Sequence, residues 1–169
     1  PLVGLRENFT IYDMDDSRKA LAHTLETLGM TTIHFTPERI ASAISWNKNH
    51  LIASDQFEPR FANPLDVLLA EIYPAYQKRL LDASAVDFDD LLLHVARLLR
   101  ESPEVRQSLD ERYRYVMVDE YQDTNLAQYA IVRALSIDWP NLAVTGDPDQ
   151  SIYGWRGANL GNILDFEND

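Results

Sequence analysis

Residues 115–129 read YVMVDEYQDTNLAQY, and residues 141–147 read NLAVTGD. Each stretch carries a short, nearly all-apolar run, Tyr115 to Val118 and Leu142 to Val144, that stops abruptly in polar residues. Runs of this length suit strands covered on both faces. A helix is expected between them, from about Thr124 to Leu135. Strand, helix of that length, strand is the pattern of a parallel sheet with a crossover helix, so the expected class is α/β. Ligands in such sheets sit beyond the carboxyl ends of the strands. Residues 119–123 and 145–150 fall there. Two strands alone do not make a doubly covered sheet, so further strands are expected from a complete parent.

Upstream of this unit the chain reads as helices with recognisable ends. Asp15 or Asp16 can cap a segment in which Leu21, Leu25 and Leu28 recur, and Gly29 can stop it. Thr36-Pro37 and Asn63-Pro64 give two more starts. Pro74 lies inside the second of these patterns, which predicts a kink or two helices. Asp87 is placed to cap a helix whose stripe of Phe88, Leu91, Leu92, Val95, Leu98 and Leu99 should be buried. Ser102-Pro103 opens a short helix ending near Arg112. The division expected is an all-helical part, residues 1–85, followed by an incomplete α/β part, residues 86–169.

Composition narrows the chemistry. The 169 residues contain no cysteine, which excludes disulfides and thiolate metal sites and fits a cytoplasmic location. No apolar run is long enough to cross a bilayer, so no membrane partner is expected. The net charge of −12, from 27 acidic and 15 basic residues, argues against a general, salt-driven nucleic-acid binder. A local stacking site for single strands stays compatible with it.

The polar residues at the two strand ends can be read in two ways. Asp119 at the tip of a strand can hold a hydrated magnesium ion beside nucleotide phosphates, and Glu120 can face a water and accept its proton. Alternatively the acids form a solvated turn, with Asp123 or Thr124 capping the next helix. In the second cluster, GDPDQSIYGWRGA at 146–158, the amide of Gln150 can donate to a phosphate oxygen and accept from water. Tyr153 and Trp155, one residue apart, can form a platform for bases or cap an apolar layer, and Arg156 can meet a phosphate or a base.

YVMVDEYQDTNLAQY, followed after a crossover length by LAVTGDPDQSIYGWRGA at 142–158, resembles the Walker B and third helicase motifs of the UvrD, PcrA and Rep family of superfamily 1 DNA helicases. DFDDLL at 87–92 is similar to the segment with which that family returns from its helical 1B insertion to its RecA-like 1A domain. Weaker likeness extends through NFTIYD at 8–13 and YQKRLL at 76–81. The resemblance implies a 1B-like subdomain over residues 1–85 and part of a RecA-like P-loop NTPase sheet over 86–169. It also implies a parent that couples ATP hydrolysis to 3'-to-5' movement on single-stranded DNA, to unwinding at single-strand/duplex junctions and to DNA repair alongside other repair proteins. In family terms Asp119 would hold Mg2+ with ATP, Glu120 would activate water, Gln150 would sense the γ-phosphate, and Tyr153, Trp155 and Arg156 would face DNA.

Lys19, Lys48 and Lys78 are the three lysines, and none follows a glycine as a phosphate-binding loop requires. Without that loop the carboxylates have no oriented substrate, so the isolated fragment is expected to be inactive. Two other readings share the residues: the motor part of a helicase-nuclease subunit, and a non-catalytic module whose aromatics hold a protein partner.

Overall fold

The structure is a computed structural model that describes residues 4–30, 34–154, 157–164 and 166. It is an α/β chain of two compact units, residues 1–48 with 52–91 and residues 49–51 with 92–169.

The first unit is built on helices α1 (Met14–Thr27), α2 (Pro37–Asn49) and α3 (Pro64–Asp82). Asp13, rather than Asp15 or Asp16, caps α1. Its Oδ1 accepts from both Asp15 N and Asp16 N at 2.9 Å, which leaves the two later acids in the first turn, beside the positive end of the helix. Gly29 ends the helix with φ +69°, as expected of a residue that needs the left-handed conformation. Of the two outcomes expected at Pro74, a kink or two helices, the second does not occur: α3 is one helix that runs through it. A proline inside a helix loses one amide hydrogen bond and crowds the preceding turn, which together cost about 3 kcal/mol. Leu69, Ile72 and Leu80 of the same helix are fully buried, and each such side chain contributes about 1.5–3 kcal/mol, so packing outweighs the loss. This core joins Leu21 and Leu25 of α1 to Ile40 and Ile44 of α2.

The first half is not purely helical. Strand β1 (Thr10–Ile11) pairs in parallel with β2 (Ala85–Val86), in register Thr10↔Ala85 and Ile11↔Val86. Two-residue strands are too short for a visible alternation, which is why periodicity misses them. Immediately after β2, Asp87 begins α4 (Phe88–Glu101) as expected, and the reason for the DFDD spelling becomes visible. Asp90 N donates to Asp87 Oδ1 at 2.9 Å while Asp87 N donates to Asp90 Oδ2 at 3.3 Å, a reciprocal capping pair. Both carboxylates also close on the ammonium of Lys48, at 2.7 Å from Asp87 and 2.8 Å from Asp90, and Lys48 is wholly buried. Tyr76 Oη donates to Asp87 and Gln77 Nε2 to Asp90, so the buried charges are hydrogen-bonded as well as paired. Burial, with the nearby charge of Asp90, holds the Tyr73 hydroxyl far above its ordinary value. Burial, with Asp87, does the same for Tyr76.

Along α4 the buried line runs through Asp90, Leu93, Ala96 and Leu99, whereas Phe88 is 57% and Val95 41% exposed. The apolar stripe read from the sequence is thus turned away from the buried face at two of its positions. Asp90 must face Lys48, and a polar residue that belongs inside is invisible to a count of apolar ones.

The second unit continues with α5 (Pro103–Arg112), β3 (Val116–Val118), α6 (Leu126–Ala134), β4 (Leu142–Val144) and the short α7 (Gly161–Leu164). Strands β3 and β4 are parallel and adjacent, joined by the expected crossover helix. They are not covered on both faces: Met117 is 78% exposed and Ala143 is exposed with it, while the flanking valines and Leu142 are half-buried. The apolar spelling of these strands anticipates a sheet with both faces packed, and in this chain one face stays open. Among the described residues no helix is long and apolar enough to cross a membrane.

Candidate functional site

In the β3–β4 register Val118 lies opposite Val144, so Asp119 and Thr145 leave the sheet side by side. Thr145 N donates to Val118 O at 2.8 Å, extending the ladder, and Thr145 Oγ1 donates to Asp119 Oδ1 at 2.5 Å. Glu120 N donates to the same oxygen at 2.9 Å. The Thr145 hydroxyl first, and this amide second, hold the Asp119 carboxyl below the usual carboxylate range. With its folded value depressed, Asp119 favours the folded state in full above the ordinary carboxylate range, and that contribution fades as pH falls through the range and is gone below the depressed value. Removing the hydroxyl with Thr145→Val is expected to move the Asp119 titration upward, read from its side-chain carbonyl shift by NMR. An unchanged midpoint would assign the effect elsewhere.

Glu120 sits in the left-handed region, φ 52° and ψ 42°, which costs a non-glycine residue about 1–2 kcal/mol. The consequence is a sharp reversal at the strand end. Glu120 stays exposed, and the following Tyr121 and Gln122 turn inward and are fully buried in a 3-10 turn, Tyr121–Asp123. Tyr121 N reaches Thr145 O at 2.9 Å, Asp123 N reaches Glu120 O at 2.9 Å, and the Tyr121 ring stands edge-on to Phe166 at 5.6 Å. This turn delays the helix, so neither Asp123 nor Thr124 caps it. Asn125 does, in a reciprocal pair with Gln128.

Gln122 then spans the two strand ends. Its Nε2 donates to Glu120 Oε2 at 2.6 Å, and its Oε1 accepts from Asp147 N at 3.0 Å. Asp147 in turn caps the second 3-10 turn, Pro148–Gln150: its Oδ1 accepts from Asp149 N at 3.0 Å and its Oδ2 from Gln150 Nε2 at 2.7 Å. Hydrogen bonds thus run from the Glu120 side chain through Gln122 to the backbone of Asp147, and from the Asp147 side chain to Gln150. Gly146 makes room for this chain, since a Cβ there would stand 2.3 Å from Gln122 Oε1, 2.9 Å from Ile163 Cδ1 and 3.1 Å from Tyr121 N. Gly146→Ala is expected to cost about 1–3 kcal/mol through overpacking. Chemical denaturation would show it as a lower midpoint, and a wild-type midpoint would mean that the neighbours yield freely.

The loop beyond Gln150 is tied at both ends to the segment after Glu120. Ser151 Oγ donates to Gln122 O at 3.5 Å. At the far end Ala158 bridges Asn125, Asn159 N donates to Thr124 O at 2.9 Å, and the buried Asn162 Nδ2 donates to Thr124 O and Oγ1. Tyr153 is 37% exposed on this loop. Trp155 and Arg156, named with it from the sequence, lie outside the described residues.

Of the sequence-derived site residues, Asp119, Glu120 and Gln150 are exposed and belong to one hydrogen-bonded cluster. Sequence reasoning missed Thr145, Gln122 and Asp147 as its joints. Aligning the ends of the two apolar runs places Thr145 beside Asp119, so that partner was legible. The inward turn of Gln122 depends on the backbone of Glu120 and was not.

No group of three or more potential metal-binding histidines and acids is present among the described residues. Magnesium seldom uses such a cage: one or two carboxylates, water and substrate phosphates suffice. Asp119 fits that demand, being ionised, exposed and holding its two protein donors on Oδ1 alone.

A family model described as the UvrD/REP helicase N-terminal domain matches residues 1–169. The chain is 42% identical over 167 residues to the ATP-dependent DNA helicase PcrA of Leuconostoc citreum, covering 99% of this chain and 22% of that protein. It is 40% identical to PcrA of Bacillus subtilis (strain 168), with 99% and 23% covered. Over 176 residues it is 44% identical to the ATP-dependent DNA helicase UvrD1 of Mycobacterium bovis, with 98% and 23% covered. The chain therefore spans less than a quarter of the length of these relatives.

Proposed function

Because this chain belongs to the UvrD/REP helicase N-terminal domain family, we propose that it carries the water-activating and strand-responsive parts of an ATP-dependent DNA helicase moving 3' to 5' on single-stranded DNA. The observation that carries this reading is the hydrogen-bonded run from Asp119 and Glu120 at one strand end to Gln150 at the other. Residues 1–85 are proposed as the 1B-like subdomain and 86–169 as part of the RecA-like 1A domain.

Asp119 would hold Mg2+, which with bound ATP supplies charge neutralisation at the transferring phosphate. Glu120, exposed beside it, accepts the proton of the attacking water. The left-handed backbone keeps that carboxylate at the surface while the next two residues go inward. Gln150 donates its amide to Asp147 here and can turn the same donor to a phosphate oxygen. Its loop continues within three residues to Tyr153, so a change at the phosphate end has a short path to the residues proposed to grip a strand, Tyr153, Trp155 and Arg156.

The test uses the full-length parent. Trp155→Ala is expected to weaken single-strand binding by about 1–3 kcal/mol while ATP turnover without DNA survives. Gln150→Ala is expected to bind DNA but to lose normal stimulation of turnover by the strand. Fluorescence anisotropy at matched salt, on variants shown folded by circular dichroism, decides: equal strand affinity for Trp155→Ala and wild type removes the stacking role.

A further inference from the structure

We infer that Gln122 is a positioning residue that ties the Glu120 carboxylate to the backbone of Asp147, so that the base and the Gln150 loop hold one register. The inference rests on the reading of Glu120 as the base and goes beyond it by naming what aims that base. Glu120 is exposed, and its backbone sits in a conformation that most side chains avoid. A free glutamate there would sample several rotamers. Gln122 differs in every respect: it is fully buried, and its two amide atoms are committed in opposite directions. The donor end holds Glu120 Oε2 at 2.6 Å, and the acceptor end holds Asp147 N at 3.0 Å.

The chemistry of the amide is specific. A carboxylate in its place offers no proton to Glu120, and a hydrocarbon offers nothing to either partner. Only a neutral group with a donor and an acceptor at fixed separation joins an anion to an N–H. Gly146, with no room for a Cβ against Gln122 Oε1, keeps the second strand end close enough for the bond. Moving Asp147 therefore pulls on the amide that orients Glu120, and the next residues on that side lead to Gln150.

Two measurements test this. In the full-length parent, Gln122→Met preserves length and removes both bonds, and Gln122→Asn keeps the amide but is one methylene too short to span both partners. Each is expected to lower kcat for ATP about a hundredfold, the effect of a misplaced catalytic group, with KM within a few-fold of wild type. In a Glu120→Gln background, neither should lower kcat further, because Gln122 acts through Glu120. In the present chain, amide exchange followed by NMR should show the Asp147 N–H protected in wild type and exposed in Gln122→Met. Losses that multiply with Glu120→Gln, or wild-type kcat in both Gln122 variants, would overturn the inference. Near-wild-type turnover by Glu120→Gln alone would sink the base assignment instead. The link would then be decided by the Asp147 amide, whose unchanged exchange in Gln122→Met would overturn it too.

Discussion

Glu120→Gln in the full-length parent is expected to reduce ATP turnover by roughly a hundredfold to ten-thousandfold, the usual contribution of a positioned general base. Nucleotide binding should persist. The substitution keeps the side-chain length and an oxygen that can accept from Gln122 Nε2, while removing the group that takes the proton from water. The backbone strain at position 120 is common to both side chains, so folding should not separate them. Single-turnover phosphate release, with a fluorescent nucleotide to report binding, gives the two readouts. Turnover within a few-fold of wild type would remove Glu120 from the chemistry. Loss of nucleotide binding together with circular dichroism would mark it as a structural residue.

The second large effect lies far from that chemistry in kind. Lys48→Met is expected to destabilise the chain by about 3–5 kcal/mol, because it leaves Asp87 and Asp90 buried without their counter-charge. That is a large share of the ~5–15 kcal/mol that holds a domain folded. The cost belongs to the broken set rather than to the net worth of the ion pairs. Lys48→Met combined with Asp87→Asn and Asp90→Asn, which removes every charge and leaves an asparagine able to cap α4, should therefore recover much of the loss. Urea unfolding decides it. A single-variant loss below about 1 kcal/mol, the scale of an exposed ion pair, would show that the cluster is not dry.

Much of this molecule is readable in its sequence because the signals are local. Capping and stop residues set where helices begin and end, so Gly29, Pro37, Pro64, Asp87 and Pro103 mark real boundaries. Short apolar runs ending in polar residues place Asp119, Glu120 and the Gln150 turn beyond the carboxyl ends of two parallel strands, because adjacent parallel strands need a crossover and the helix between the runs supplies it. The family motifs are local for the same reason: each is a strand end with its turn.

What the tertiary structure alone decided are the facts that depend on two distant segments meeting. Thr10–Ile11 is a strand only because Ala85–Val86 lies beside it. Lys48 looks like any surface lysine until α4 brings Asp87 and Asp90 against it, 39 and more residues away. Pro74 stays helical because neighbours bury one face of its helix. Asn125 displaces Asp123 and Thr124 as the cap because Glu120 enters the left-handed region and inserts a 3-10 turn before α6. The same backbone reversal sends Gln122 inward to Asp147. Propensity acts over a few residues and is written in their order, whereas a buried charge or amide is decided by which partner the fold delivers.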